Sequence, residues 1–549
     1  MTPALILLAD TTEGRLALTD GTPLTVAHLV TAAWQALPGL AVDGDTDELL
    51  AVDDSLAARS VRVAVPVDAV SPSAGRLRWD TTGRAELHRA APDSDGVVSL
   101  SDRTLLAAGR LDEVATDGLS WSASIVDDPL DDAGLLLEQG ATVRPETWPR
   151  TDAQRIADGE GAFVGTGAAD PAVEAAPYPL ILGRPGQGIP YRVTGAGLIE
   201  TDAPCSPALT VERSAAPSVG DCRQVVAVGR ITATTVRRFS VDQNDAPTAE
   251  DCAVEVAHDA EGRLVSVISP GSVLDIPPEG AETWIALVTG GGIVDPYGTG
   301  ELRRADHVIR LALDRSTLRI DRRQLPRLSS LAAYQIDTAV YSQVGAWDWL
   351  RGQVLPHLPV AVAVGPAGLY LWPRLRAPAP EHAAQHLTVG VDCAREGAAV
   401  GQALDPITRL TVSYALDARA GQCRRRLTVS GRRLPYDGPD VLPSYWAERA
   451  WQAHGQRSAE IEVPITSDPA TALAIALDVI DRTCRPAFDV VLSLDADDCR
   501  VLPGDVIAIT DADLGLAGQP AQIQRLGYAG GAAVVTARWY AAAGSAATT

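Results

Sequence analysis

Apolar and polar residues alternate along much of the first 150 residues, the pattern of strands with one buried face. Every second residue from Val61 to Val67 is valine. Segments 105–114 and 119–126 are also rich in apolar residues, and an Asp-Gly dipeptide at 117–118 separates them. Asp-Gly is typical of tight hairpin turns. The N-terminal part of the chain is therefore predicted to be built of antiparallel strands.

Apolar residues recur at helical spacing in a few segments between the strands. The spacing predicts helices at 26–37, 305–312, 325–341, 346–355 and 468–484. The helix that starts at Asp468 has the clearest signals, because an acidic cap precedes Pro469 and Pro486 follows its end. A hairpin is predicted where segments 360–364 and 369–372 flank a short Gly-Pro turn.

A chain of 549 residues exceeds what one hydrophobic core serves, so several domains are expected. The pattern predicts a barrel-like domain at 1–150, a linker at 151–179, an inserted β-rich domain at 180–300, a small α/β module at 301–375 and a second barrel-like domain with one helix at 376–549. The predicted fold class is mainly β, with two antiparallel barrel-like domains of similar topology and smaller inserted domains, one of them α/β.

The charge pattern excludes several functions. There are 46 basic and 70 acidic residues, a formal net charge of −24, and every basic residue is arginine. Without lysine the chain cannot form a Schiff base or a P-loop, which excludes pyridoxal enzymes, kinases and P-loop ATPases. The negative charge repels phosphate backbones and argues against specific nucleic-acid binding.

The cysteines and the longest apolar runs bear on location. The seven cysteines are Cys205, Cys222, Cys252, Cys393, Cys423, Cys484 and Cys499. Their odd number and wide spacing favour reduced thiols over a disulfide framework, with an iron–sulfur or zinc site as the lesser alternative. No segment approaches the ~18 apolar residues of a spanning helix, and no secretion signal is evident. We expect no stable membrane insertion and no export.

Two groups of residues resemble metal sites superficially. His382 and His386 are four residues apart, but no H-E-x-x-H motif surrounds them, so we interpret them as exposed histidines. Asp495, Asp497 and Asp498 lack the glycine and glutamate of a calcium loop, and a polar hairpin tip is the better interpretation.

Three further segments could suggest chemistry. The carboxylates Asp127, Asp128, Asp131 and Asp132 are interpreted as a solvated acidic turn rather than a general acid–base pair. Gly290, Gly291 and Gly292 follow an apolar run, but no helix can start after them, so we expect a flexible loop rather than a phosphate loop. The arginines at 303–327 alternate with aspartates and predict a salt-bridged helix surface. No catalytic, cofactor-binding or metal-binding residue is predicted, and no cofactor.

Several segments resemble the hub proteins at the tail tips of long-tailed bacteriophages and gene transfer agents. They are 105–114 with 119–122, 179–183, 347–350 with 368–372, 445–447, the helix from Asp468, and 502–506 with 510–511 and 514–516. They occur in the order that the family has, and residues 1–100 match least.

The resemblance implies a structural protein of the virion rather than an enzyme. It implies a homotrimer whose two barrel domains per subunit form a pseudo-sixfold ring at the end of the tail tube. The implied partners are the distal tail protein, the tape-measure protein and receptor-binding or tail-fibre proteins. Such a chain would be synthesised in the host cytoplasm and assembled into the tail tip of the virion. An acidic lumen would let DNA pass without sticking during ejection, with the arginines directed into subunit interfaces.

Two other functions remain open from the residues alone. A cell-wall or glycan hydrolase needs only a pair of carboxylates, and acidic residues are abundant. A carbohydrate-binding tail protein could stack sugars on some of the 11 tryptophans.

Overall fold

The computed structural model describes the C-terminal half of the chain almost continuously and the N-terminal half mainly in its strands. The described residues are 4–11, 14–20, 24–29, 32–38, 40–43, 60–66, 84–90, 94–99, 103–116, 120–127, 134–137, 150–151, 177–185, 191–193, 199–201, 206–207, 209–211, 223–241, 247–259, 261–268 and 282–541, the last without 366–367, 402–405, 419, 435–437, 439–440, 496–498, 500 and 530–531. The protein is mostly β, as the sequence predicts.

The N-terminal strands form one curled sheet. They are β1 (Ala4–Thr11), β2 (Gly14–Thr19), β3 (Leu24–Leu29), β4 (Ala32–Pro38), β5 (Ala41–Asp43), β6 (Ser60–Pro66), β7 (Arg84–Ala90), β8 (Val97–Val98), β9 (Arg103–Thr116) and β10 (Ser120–Asp127). Their order is β5-β6-β10-β9-β7-β1-β2-β4-β3-β8. Val61, Val63 and Val65 lie on β6, and β9 pairs antiparallel with β10, which confirms the alternating strand and the hairpin. Val67 and the Asp-Gly dipeptide lie outside the described residues.

The helix predicted at 26–37 is wrong, because this segment belongs to the antiparallel strands β3 and β4. Leu24 pairs with Ala36 and Val26 with Trp34, so residues at every second position match across the strands. Val26 is fully buried. The period of two at Leu24 and Val26 therefore outweighs the helical spacing of the residues that follow.

A second antiparallel sheet follows. Its region contains β11 (Arg150–Thr151), β12 (Leu180–Leu182), β13 (Tyr191–Val193), β14 (Ile199–Thr201), β15 (Ser206–Pro207), β16 (Leu209–Val211), β17 (Arg223–Val228), β18 (Thr235–Val241), β19 (Pro247–His258), β20 (Leu264–Ile268) and β21 (Glu282–Thr289). The sheet order is β15-β21-β18-β19-β20-β17-β16, with β11 beside β19, while β13 and β14 pair separately. Every strand pairing in this sheet is antiparallel, as expected for an inserted β-rich region.

A module of short helices and strands follows the second sheet. It contains α1 (Ala305–Arg315), a 3₁₀ helix (Arg322–Ala333), β22 (Thr338–Val340), α2 (Ala346–Trp349), a π turn (Leu350–Val354), a 3₁₀ turn (Leu355–His357), β23 (Val360–Gly365) and β24 (Gly368–Pro373). The helix predicted at 325–341 is corrected: Pro326 lies inside a 3₁₀ helix, and the chain is extended from Tyr334 onward. Proline lacks the N–H that a continuous α-helix needs. The hairpin β23–β24 and the helical segment at 346–355 are confirmed.

The C-terminal region contains two sheets. Its elements are a 3₁₀ turn (Pro380–His382), β25 (Ala383–Thr388), β26 (Ala394–Gly401), β27 (Arg409–Asp417), β28 (Gln422–Ser430), β29 (Val441–Pro443), α3 (Tyr445–His454), β30 (Ser458–Val463), α4 (Pro469–Cys484), β31 (Ala487–Asp495), β32 (Val506–Asp511), β33 (Leu516–Ala529) and β34 (Ala532–Tyr540). The sheet orders are β25-β32-β33-β34-β31-β26 and β29-β28-β27-β30.

The four-stranded sheet and α3 were not expected in this region, for which the sequence predicts one barrel and one helix. Helix α4 is confirmed, with the Asp468 side chain accepting a hydrogen bond from the Thr471 amide. Helix α3 is capped by Ser444, whose hydroxyl accepts a hydrogen bond from the Ala447 amide. Both helices join the core of the four-stranded sheet, through residues such as Ala447 and Ile475. The domain boundaries drawn from the sequence stay a prediction.

The two curled sheets share one strand order. Six N-terminal strands correspond to the six C-terminal strands: β1, β5, β6, β7, β9 and β10 to β25, β26, β31, β32, β33 and β34. Numbered in chain order, both sets have the spatial order second, third, sixth, fifth, fourth, first. The four pairings from the second strand to the fourth are antiparallel in both sets; only the first strand differs, antiparallel in β1 and parallel in β25. The prediction of two related antiparallel barrels is confirmed at this level.

The C-terminal sheet curls until its two edge strands come close together. Strands β25 and β26 are the edges, and only a short turn around Gly390, with φ +83°, connects them. Arg395 on β26 then reaches Asp511 at the end of β32, with 2.6 Å between Nη1 and Oδ2. Buried residues such as Leu492, Ile509 and Val535 fill the enclosed space. No helix among the described residues has the length and apolar character required to cross a bilayer.

Candidate functional site

The described residues of the two groups that resemble metal ligands are not gathered into a site. His382 and His386 are both exposed, one on a 3₁₀ turn and the other on β25. Asp495 is exposed at the end of β31, whereas Asp497 and Asp498 lie outside the described residues. Within the part of the chain that the structure describes, no three His, Cys, Asp or Glu side chains are placed to hold a metal ion.

The acidic segment after β10 is described only at Asp127, the last residue of that strand. Asp128, Asp131 and Asp132 lie outside the described residues. The interpretation of this segment as a solvated turn therefore stays a prediction.

Three of the described cysteines have raised thiol pKa values. Burial raises the pKa of Cys393 and of Cys484 above the ordinary value. Burial and the nearby Glu462 raise the pKa of Cys423 to about 11. A thiolate is the form that attacks substrates and binds metals, so these three cysteines are poorly suited to either role at neutral pH. Cys205 and Cys222 lie outside the described residues.

The triple glycine at 290–292 is a packed crossing point, and the expected flexible loop is wrong. A methyl group on Gly292 would lie 2.4 Å from the Ile181 carbonyl oxygen. A methyl group on Gly290 would lie 2.3 Å from the Thr232 carbonyl oxygen. The Gly292 amide also donates to the Gly183 carbonyl. Glycine is required here because two backbones approach each other closely. The segment thus joins the second sheet to the strand β12.

The arginines at 303–327 form ion pairs, as predicted, but the predicted helix surface is only part of the network. The pairs are Arg304–Asp306, Arg310–Asp314, Arg322–Asp314, Arg323–Asp321 and Arg327–Asp505. Asp306 and Asp321 are buried. Part of this network therefore lies in the interior, where it joins elements together.

Asp337 is the centre of a buried junction between three parts of the chain. Its side chain is fully buried, and its Oδ1 accepts from Arg303 Nε at 2.7 Å and from the Arg184 amide at 2.8 Å. Its Oδ2 accepts from the Ser467 amide at 3.0 Å and hydroxyl at 2.8 Å. Arg184 follows β12, Arg303 precedes α1, and Ser467 precedes α4. One carboxylate therefore joins the chain after β12, before α1 and before α4.

A second junction attaches the hairpin β23–β24 to the C-terminal curled sheet. The Tyr370 hydroxyl donates to the Pro503 carbonyl at 2.7 Å, and Arg327 Nη2 lies 2.6 Å from Asp505 Oδ1. Trp372 is buried beside this contact. The module between the curled sheets is thus tied to the C-terminal one by charge-assisted and neutral hydrogen bonds.

The pair that closes the C-terminal sheet is expected to weaken in acid. Burial raises the pKa of Asp511, but hydrogen bonds from Arg395 and two backbone amides outweigh burial and hold that pKa below its usual value. The resulting stabilisation is present at neutral pH and is lost as the pH falls through the lowered pKa. Arg395→Gln should make the amides of β26 exchange faster at pH 7, and the excess over wild type should shrink below about pH 4.

Hydrogen exchange followed by mass spectrometry measures this effect. Arg351→Gln, at an exposed position on the π turn, is the matched control and should leave β26 unchanged. An excess that persists undiminished into strong acid would show that Asp511 does not provide the contact.

The comparisons with known proteins find similarity to phage tail proteins and to a chain of a gene transfer agent particle. Residues 446–526, from α3 to β33, match the family described as putative phage tail protein. Among solved structures, the chain is 11% identical to a chain in the virion of a native gene transfer agent, covering 67% of this chain and 85% of that one at a TM-score of 0.34. No curated protein sequence matches the chain.

Two further structures are tail proteins of bacteria or their prophages. The 43 kDa tail protein of prophage MuSo2 from Shewanella oneidensis is 10% identical, with 98% of both chains covered and a TM-score of 0.29. The tail protein from Neisseria meningitidis MC58 is 12% identical, covering 58% of this chain and 95% of that one at a TM-score of 0.25. The family match confirms the resemblance to tail proteins and supports a structural role in a phage tail.

Proposed function

We propose that the chain is the hub of a phage tail tip, a homotrimer in which the two curled sheets of each subunit occupy equivalent positions in a pseudo-sixfold ring. The observation that carries this proposal is the shared strand order of the two sheets. Closed rings need equivalent contacts around an axis, and an internal duplication lets three chains supply six similar units.

The elements between the two curled sheets fit the same role. The packed glycines at 290–292 and the Asp337 junction fix the inserted sheet, the central module and the four-stranded sheet against one another. Such connections support a rigid scaffold for partners. In the tail these partners would be the distal tail protein, the tape-measure protein and receptor-binding or tail-fibre proteins, with the chain at the tail tip of the virion.

The proposed ring surrounds the path of DNA during ejection. A net charge of −24 would repel DNA phosphates if a fair share of the carboxylates face the axis, so the duplex would pass without binding. Several arginines already pair with carboxylates of their own chain, as in the bidentate contact of Arg538 with Asp489. Arginines paired in this way are not available to hold DNA.

Neither alternative function is favoured by a specific observation. Trp347, Trp349, Trp372 and Trp446 are buried, so their rings serve the core rather than a sugar surface. Asp489 is the single carboxylate that lines the described cavity beside the C-terminal sheet, and it is bound to Arg538. A glycosidase needs two carboxylates facing one cleft. We therefore propose a structural rather than an enzymatic role.

Native mass spectrometry tests the ring. The isolated chain should associate weakly, whereas complexes formed with its tail partners should contain three copies of the 57.5 kDa subunit. An assembled ring should bury more than ~2,000 Å² at each subunit interface. A chain that stays a 57.5 kDa monomer in the presence of its tail partners would contradict the proposal.

A further inference from the structure

Two short turns of the C-terminal curled sheet carry exposed aliphatic side chains. The turn at 389–393 joins β25 to β26, and the turn at 511–516 joins β32 to β33. Val391 on the first turn is 80% exposed, and Leu514 on the second is 41% exposed. They are two of the six large hydrophobic side chains that are exposed in the described part of the chain. We call this pair of turns the C-terminal tip.

Hydrogen bonds hold the two turns of the tip side by side. The Val389 amide on the first turn donates to the Thr510 carbonyl at the start of the second, at 2.9 Å. The Asp511 carboxylate accepts from the Leu514 amide at 3.2 Å and from Arg395 Nη1 at 2.6 Å. An apolar side chain on a rigid turn loses little freedom when it binds. Single exposed aliphatic residues are common, whereas adjacent ones on rigid turns indicate a contact surface.

The N-terminal curled sheet has a small lobe in the two corresponding connections. By the shared strand order, β25 and β26 correspond to β1 and β5, and the connection between β1 and β5 contains β2, β3 and β4. Strands β32 and β33 correspond to β7 and β9, and the connection between these contains β8. Val26 on β3 pairs with Val98 on β8, so the two insertions form one unit. We call β3, β4 and β8 the N-terminal lobe.

The lobe packs on its own sheet and is uncharged in its two longer strands. Val26 and Val98 are buried in one cluster with Ile6 and Leu8 of β1. Strands β3 and β4 contain no Asp, Glu, Arg or Lys, although charged residues make up 21% of the chain. Val97 on β8, the edge strand of the sheet, remains exposed. The lobe therefore offers an uncharged edge beyond the part that covers its own sheet.

The C-terminal tip lacks the cover that the N-terminal sheet has. Its two turns contain no inserted strand, and Val391 is exposed, so the lobe of the same chain does not cover it. In the proposed ring the two kinds of sheet alternate at equivalent positions, which places a lobe of a neighbouring copy beside each tip. Contact between them removes apolar area from water. The uncharged strands of the lobe add no cost of burying a charge.

We propose that the C-terminal tip of each subunit docks on the N-terminal lobe of a neighbouring copy of the chain, with Val391 and Leu514 as the apolar anchors. This inference rests on the proposed ring. It assigns a pair of surfaces to the contact between the C-terminal sheet of one subunit and the N-terminal sheet of the next.

Photo-crosslinking of the full-length chain tests which surfaces meet. A benzophenone amino acid in place of Val391 should join copies of the chain when complexes formed with the tail partners are irradiated, giving a product of about twice the 57.5 kDa subunit mass. Peptide mass spectrometry should place the attachment within β3, β4 or β8 of the second copy. The same probe at Val294, an exposed valine after β21, is the matched control and should not attach to these strands.

Replacing both anchors by serine tests their contribution to assembly. Val391→Ser with Leu514→Ser should raise the dissociation constant of the three-copy complex about tenfold, since two apolar anchors are lost from each contact. Val288→Ser with Val294→Ser changes two exposed valines outside the tip and should leave the constant unchanged. Native mass spectrometry across a dilution series of the complexes with tail partners gives these constants. The melting temperature of the tip variant should equal that of the wild type, because both anchors are exposed in the subunit.

The outcomes separate the inference from the ring. Wild-type complexes that never contain three copies remove the ring, and the inference with it. Three-copy complexes in which the Val391 probe attaches to a tail partner, to its own chain or to nothing overturn the inference alone. A tip variant that dissociates no more readily than the control variant overturns it as well.

Discussion

Replacing Asp337 by alanine should lower the free energy of unfolding by about 3–5 kcal/mol, the usual cost of removing one partner of a buried ion pair. The loss arises because Arg303 would keep its charge in a largely buried position, with a side-chain exposure of 21%. The amides of Arg184 and Ser467 would also lose their acceptor. Buried donors without partners are costly, so the junction should open before the separate sheets unfold.

Urea denaturation followed by circular dichroism measures the loss, and hydrogen exchange at Arg184 and Ser467 locates it. Asp251→Ala is the matched control: Asp251 makes the same bidentate contact, with Arg237, but its side chain is 57% exposed. An exposed pair of this kind should cost less than about 1 kcal/mol. Equal losses for the two variants would contradict the junction at Asp337.

Gly292→Ala should lower the free energy of unfolding by about 2–3 kcal/mol, toward the upper end for an added methyl group in a packed interior. The new Cβ would lie 2.4 Å from the Ile181 carbonyl oxygen and 2.8 Å from the Gly183 amide nitrogen, and both are backbone atoms. Backbone cannot move aside as a flexible side chain can. The strand β12 would therefore shift against the second sheet.

The melting temperature by differential scanning calorimetry reports this change. Gly352→Ala is the control, because a methyl group there meets nothing within 4 Å. That variant should be neutral or slightly stabilising, since alanine restricts the unfolded chain. If Gly292→Ala were equally neutral, segment 290–292 would be the mobile loop that its composition suggests.

Sequence patterns predict the elements whose structure depends mainly on residues that are close together along the chain. Strand β6 follows from the alternating valines at 61–67, and α4 follows from the Asp468 cap together with its apolar face. The prediction of a helix at 26–37 is wrong because short strands that contain small residues satisfy helical spacing as well. The four-stranded sheet is missing from the prediction for another reason. Its alternating strands look like continued barrel strands, and only their pairing reveals a separate sheet.

Long-range contacts explain why the candidate site is not visible in the sequence. Asp337 binds Arg184 and Ser467, which are 153 and 130 residues away along the chain. The cavity beside the C-terminal curled sheet is lined by Arg374, Arg482, Arg525 and Arg538, which come from the end of the hairpin, α4, β33 and β34, and no spacing rule links them. The sequence does give one chemical indication of buried ion pairs. Arginine supplies every basic residue, and its planar fork favours paired, interior contacts.

Electron cryo-microscopy of the assembled tail tip tests the hub most directly. The account predicts a ring of three copies in which the sheet of β1 to β10 and the sheet of β25 to β34 alternate at equivalent positions around the axis, with carboxylates facing the lumen. A ring in which the two sheets lie at different radii, or a lumen lined by arginine, would contradict it.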